Sequence, residues 1–68
     1  MTDKQAEVLK ALRDGFAIGE YKPGRGYKVG RVYFSMRLMD SLFNNNLIDE
    51  NTITDDGLFS LKEWEASR

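Results

Sequence analysis

Leu42-Phe43-Asn44-Asn45-Asn46-Leu47-Ile48, followed by Ile53-Thr54-Asp55-Asp56-Gly57, is the stretch whose reading decides the fold. An apolar pair ends in three asparagines. Asparagine tolerates the left-handed backbone that closes a helix, so a helix stops here. Leu47-Ile48 and Thr52-Ile53 flank Asp49-Glu50-Asn51, the pattern of a very short hairpin. Thr54 then suits the N-cap of a further helix, with Asp55 and Asp56 placed at its positive end.

Upstream, Ser35 is a cap for the helix that the asparagines end, and Leu38, Met39, Leu42 and Phe43 give it a buried face. Its outward residues are expected to be Arg37, Asp40, Ser41 and Asn44. Met36 and Met39 are expected in or near the core, where methionine fills irregular gaps. Downstream, Leu58, Leu61 and Trp64 form the expected inner stripe of the last helix. At the other end of the chain, Thr2 and Gln5 have the spacing of a capping box, and Ala6, Val8, Leu9 and Leu12 recur at helical intervals. A helix over about residues 3–14 follows, with Gly15 as its stop.

Residues 16–34 alternate instead. Phe16, Ile18 and Glu20 interleave with Ala17, Gly19 and Tyr21, and Tyr27, Val29, Arg31 and Tyr33 with Lys28, Gly30, Val32 and Phe34. Between them, Lys22-Pro23-Gly24-Arg25 reads as a type II turn, proline setting its first central residue and glycine its second. The expectation is two strands joined by a basic, glycine-rich loop.

The string from Leu42 to Gly57 resembles the second half of small bacterial and phage winged-helix domains. In many of these an aliphatic residue, a few polar residues and Gly-Leu-Ile lead into a wing, and Leu-Thr-x-x-Gly opens the closing helix. The resemblance covers about residues 34–64. Asn46 stands where glycine is usual, the glycine-rich hairpin takes the place of the usual middle helix, and the wing carries Asp49 and Glu50. It implies an α+β winged-helix-like domain spanning residues 1–68, in the order helix, β-hairpin, helix, short wing hairpin, helix. The core is expected to unite Leu42, Leu47, Ile48, Ile53 and Leu61 with Leu9 and Leu12.

Charge is the main functional signal. Residues 1–20 carry three cations and four acids, residues 21–37 five cations and no acid, and residues 38–68 two cations and seven acids. The formal net charge of −1 therefore hides a strong dipole. Tyr21, Tyr27, Tyr33 and Phe34 interleave with the basic island of Lys22, Arg25, Lys28, Arg31 and Arg37. A local positive face of this kind can hold a phosphate backbone even on a near-neutral chain. On plain strand alternation, Lys22 and Lys28 face away from Arg25 and Arg31, and a flexible loop tip is expected to let both pairs reach one phosphate track.

The winged-helix resemblance adds bases read by the second helix, where arginine pairs with guanine and asparagine with adenine. The expected nucleic-acid contacts are thus Lys22, Arg25, Lys28, Arg31, Tyr33, Arg37, Ser41 and Asn44, with duplex DNA as the partner and regulation as the role. The alternative is an inhibitor or adaptor of phage or mobile-element type that binds a host protein without binding DNA. The small core also suggests a weak homodimer through the first or last helix, using the Leu58, Leu61 and Trp64 stripe.

Other classes find little support. The chain has no cysteine and no histidine, so thiolate zinc sites and histidine acid–base chemistry are excluded. No nucleophile, base and oxyanion donor can be assembled, so no enzyme is expected. Gly24-Arg25-Gly26-Tyr27-Lys28-Val29-Gly30 matches neither a dinucleotide fingerprint nor a P-loop. The acid pairs Asp49-Glu50 and Asp55-Asp56 lack the alternation of a calcium loop and read as turn and cap residues. No cofactor and no metal are expected. The charged, periodic N-terminus is not a signal peptide, and no apolar run spans a membrane, which points to the cytoplasm.

Overall fold

The computed structural model describes residues 1–50 and 52–68. The fold is α+β. Helix α1 (Asp3–Arg13) leads into strands β1 (Ile18–Lys22), β2 (Gly26–Val29) and β3 (Val32–Phe34), then helices α2 (Met36–Asn44) and α3 (Asp55–Ala66). The three strands form one antiparallel sheet in the order β1-β2-β3. No helix among the described residues is long and apolar enough to cross a membrane.

Local chemistry sets the helix ends. Thr2 and Gln5 form the reciprocal capping box at α1. The Ser35 hydroxyl accepts from the Leu38 amide at 3.2 Å, and the Thr54 hydroxyl from the Gly57 amide at 3.0 Å. At the C-terminus of α1, the Phe16 amide donates to the Ala11 carbonyl and the Gly15 amide to that of Leu12. The C-terminus of α2 repeats this pair of bonds, from Leu47 to Leu42 and from Asn46 to Phe43. Both are Schellman ends, closed by one left-handed residue: Gly15 at φ 102° and Asn46 at φ 59°.

The residues between α1 and α2 form three strands rather than two. Lys22 to Arg25 closes the expected turn, with the Arg25 amide on the Lys22 carbonyl at 3.0 Å and Gly24 at φ 81°. A second turn at Gly30-Arg31 then breaks the expected second strand. Val29 pairs with Val32 across it, Lys28 with Tyr33, and Tyr27 with Phe34. A two-residue loop that starts with glycine at positive φ matches the twist of a tight hairpin.

A bulge also falls in β1. Ile18 pairs with Val29 and Tyr21 with Tyr27, so three steps on β1 match two on β2. Simple alternation places Ile18 and Tyr21 on opposite faces; the extra residue returns both to one face.

That inner face carries Val29 and Phe34 into a single buried cluster with Ala6, Val8, Leu9, Leu12, Met39, Leu42, Ile48 and Leu61. Leu47 and Ile53 pack half-buried against it. The expected core therefore holds, except at its rim. Met36 is 44% exposed and Leu58 39% exposed, while Phe59 beside it reaches 65%. The inner stripe of α3 runs through Gly57, Leu61 and the half-buried Trp64, one position away from the expected start at Leu58.

The expected wing hairpin is a single bridge, Ile48 to Ile53. The Asp49 amide donates to the Thr52 carbonyl, and the Thr52 amide to the Asp49 carboxylate, both at 2.8 Å. The Asp49 side chain thus replaces a further pair of strand bonds. Asn51, at the expected tip, lies outside the described residues. The observed order is helix, three strands, two helices.

Gly57 explains the Thr-Asp-Asp-Gly string. A Cβ at this position would collide with the Leu47 carbonyl and lie 2.7 Å from Ile53 Cγ1. The first turn of α3 thus rests directly on the backbone of residue 47, with the Thr54 hydroxyl donating to the Asn46 carbonyl at 2.7 Å.

Candidate nucleic-acid interface

Tyr33 is the centre of the basic face. It is the middle residue of β3 and lies opposite Lys28 on β2, on the side of the sheet away from the core. Lys22, paired with Gly26, shares that side. Arg25 reaches it from the turn. The Lys22 and Lys28 ammonium groups lie 6.0 and 5.9 Å from the Tyr33 ring centroid, and the Arg25 guanidinium carbon 5.6 Å. Each contact is within cation–π range. On the opposite side of the sheet, Tyr21 and Tyr27 pack as a tilted pair with centroids 5.3 Å apart.

Three positive charges around one ring repel one another. The ring quadrupole offsets part of that cost, about 0.5–1 kcal/mol per exposed contact. Glu20 stands two residues before Lys22 on the same strand, but no carboxylate forms an ion pair with these cations among the described residues. The ion pairs among the described residues are Lys4–Glu7, Arg13–Glu65 and Arg68–Asp3, and none of the five cations of residues 21–37 joins them. Cations held together without an ion pair raise the local positive potential that an external anion can neutralise.

The eight expected contact residues do not all share this site. Lys22, Arg25, Lys28 and Tyr33 come together. Arg25 does not part from the two lysines, because turn geometry overrides strand alternation. Arg31 does part from them: it occupies the second turn, at the other end of β2. Arg37, Ser41 and Asn44 line a separate shallow groove along α2 with Met36, Asp40 and Asn45. Arg37 and Asn44 are exposed as expected. Ser41 is half-buried, and its hydroxyl accepts from Gln5 Nε2 at 3.2 Å, tying α2 to α1. Asp40 contributes a carboxylate to the same groove.

Two features were missed by the strand-by-strand reading. The convergence on Tyr33 depends on the Gly30-Arg31 turn, which Val-Gly-Arg-Val could have signalled as a short hairpin loop. Lys4, on α1, borders Tyr33 together with Phe34, Ser35 and Leu38. No local pattern links residue 4 to residue 33; only the packing of α1 beside the sheet does.

Comparison with protein-family models, curated proteins and solved structures finds no match to this chain. No group of three histidine, cysteine, aspartate or glutamate residues among the described residues is placed to hold a metal ion.

Proposed function

We propose that this chain is a small nucleic-acid-binding regulatory protein of winged-helix type, which grips a phosphate backbone with Lys22, Arg25 and Lys28. The observation that carries this reading is the set of three cations around Tyr33, none of them in an ion pair among the described residues. In this reading Tyr33 gathers and orients the cations. Arg37, in the first turn of α2 and in the separate α2 groove, is the residue most able to read a base edge. Ser41 serves packing. Duplex DNA is the target that the winged-helix reading implies.

Titration against random duplex DNA at several salt concentrations tests this. Each phosphate contact contributes about 0.9 to the log–log salt slope. Replacing Arg25 and Lys28 by alanine weakens binding on all sequences and flattens the slope by about two such contacts. An unchanged affinity and slope would reduce the cluster to a solvated hairpin.

A second reading has its own observation. Leu58 and Phe59 are exposed on α3, in the acidic half of the chain, beside Asp55, Asp56 and Glu63. An apolar pair with an acidic rim suits a protein partner or a second copy of the chain. It replaces the Leu58, Leu61 and Trp64 stripe as the dimer surface, because Leu61 is fully buried in the core. The protein-partner form expects no duplex binding, whereas the homodimer is compatible with it and is tested by sedimentation across concentrations.

A further inference from the structure

Tyr33 belongs both to the basic cluster and to a neighbouring depression. It sits on the edge strand β3, opposite Lys28 on β2. It also borders a depression of about 310 Å³ lined by Lys4, Tyr33, Phe34, Ser35 and Leu38. Its lining is mixed, with two aromatic residues and a leucine beside a serine and a lysine. The size is at the lower end of the range that small-molecule sites occupy.

A recess with an aromatic lining residue beside cations suits the chemistry of a nucleotide: phosphates on the cations, a base against Tyr33. We propose that this depression takes the base of an unpaired nucleotide whose neighbouring phosphates lie on Lys22, Arg25 and Lys28 and on Lys4. The inference rests on the reading of the cluster as a phosphate site and adds to it a preference for single strands. A duplex offers the same phosphates, but its bases are paired and stacked and cannot enter a recess of this kind.

Lys4 is available for the role. Its only ion pair among the described residues is with Glu7 at 3.6 Å, between side chains 71% and 50% exposed. Pairs this open are worth little, so exchanging the carboxylate for a phosphate costs little. Ser35 keeps its hydroxyl oxygen on the Leu38 amide and can still donate its proton toward a ligand.

The experiment compares three labelled ligands by fluorescence anisotropy at low salt: a thymidine strand of about twelve nucleotides, within the site sizes of small single-strand binders, an abasic strand of equal length, and a duplex of equal length. The thymidine strand is expected to bind about tenfold more tightly than the other two, the gain of one stacked base. Tyr33→Leu should remove that preference. Lys4→Glu, at an exposed position where folding is not at risk, should reduce it too, and circular dichroism confirms that both variants remain folded. Equal affinity for all three ligands, or a preference that survives both substitutions, overturns the inference while leaving the phosphate cluster in place. Failure to bind any of the three overturns both together.

Discussion

Tyr33 and Trp64 each gather cations, in opposite electrostatic company. Around Trp64, the Lys10 ammonium lies 5.0 Å and the Arg68 guanidinium 4.3 Å from the ring centroid. Acids accompany them. Arg68 pairs with Asp3 at 3.0 Å, and Arg13 reaches Glu65 with two nitrogens at 2.7 and 3.4 Å. These contacts stitch α1 to α3 and neutralise the seam. Around Tyr33 the cations are three, and none is in an ion pair among the described residues. The same pairing of ring and cation thus supports two ends. One closes two helices on each other. The other leaves charge for a partner to neutralise. Counting cation–π contacts alone would not separate them; the carboxylates do.

Both faces stand on one core, so the largest effect comes from removing their common floor. Leu42 is fully buried among α1, the sheet and α3, and Leu42→Ala should cost about 2–5 kcal/mol, read as a lowered urea midpoint. Should the midpoint not move, α2 does not anchor the sheet and the two faces are independent. Gly57→Ala should be the next most damaging. The added methyl meets the Leu47 carbonyl, and forced overpacking costs about 1–3 kcal/mol. That variant loosens the seat of α3 and with it the Trp64 seam. Its thermal melt should show the loss, while the nucleic-acid salt slope of the remaining folded protein stays as in the parent.

The next effect separates the faces. Replacing Lys22, Arg25 and Lys28 by alanine should lower nucleic-acid affinity at least tenfold, about 1.4 kcal/mol. The same change relieves repulsion and should leave the urea midpoint equal or higher. A midpoint that falls sharply would mean that the cluster around Tyr33 is structural, like the seam.

The smallest effect is the pH dependence of the seam. The hydrogen bond from Arg13 holds the Glu65 carboxyl below the ordinary glutamate value, and the same bond raises Arg13. A carboxyl lowered by folding stabilises the folded state above its unfolded pKa, and that contribution fades as pH falls through the lowered value. Melts from neutral to acid pH should therefore show a small loss in the acidic range that Glu65→Gln reduces. Both side chains are about 40% exposed, so salt should screen most of the effect.

Sequence and structure part company in an orderly way. All three helices were legible, because each is announced by residues within one turn: Thr2 with Gln5, Ser35, and Thr54 before two acids. The left-handed ends at Gly15 and Asn46 were legible for the same local reason. The sheet was legible only as a region. Its third strand hangs on a two-residue loop at Gly30, and the bulge in β1 shifts faces by one residue, which alternation cannot register. Leu58 was misplaced because Gly57 moves α3 against residue 47, a contact between distant parts of the chain. Of the site, the charges of Lys22, Arg25 and Lys28 were legible as composition. Their assembly on Tyr33, the exclusion of Arg31 and the approach of Lys4 belong to topology.

The most direct test of the uncompensated cluster is an NMR titration of the folded chain with single-stranded and duplex DNA at low salt, following the Tyr33 ring and the Trp64 indole together. The account predicts that resonances of Tyr33, Lys22, Arg25 and Lys28 shift and saturate, while the Trp64 indole stays unmoved. Shifts centred on Trp64, or no shift at Tyr33 with either ligand, would contradict it.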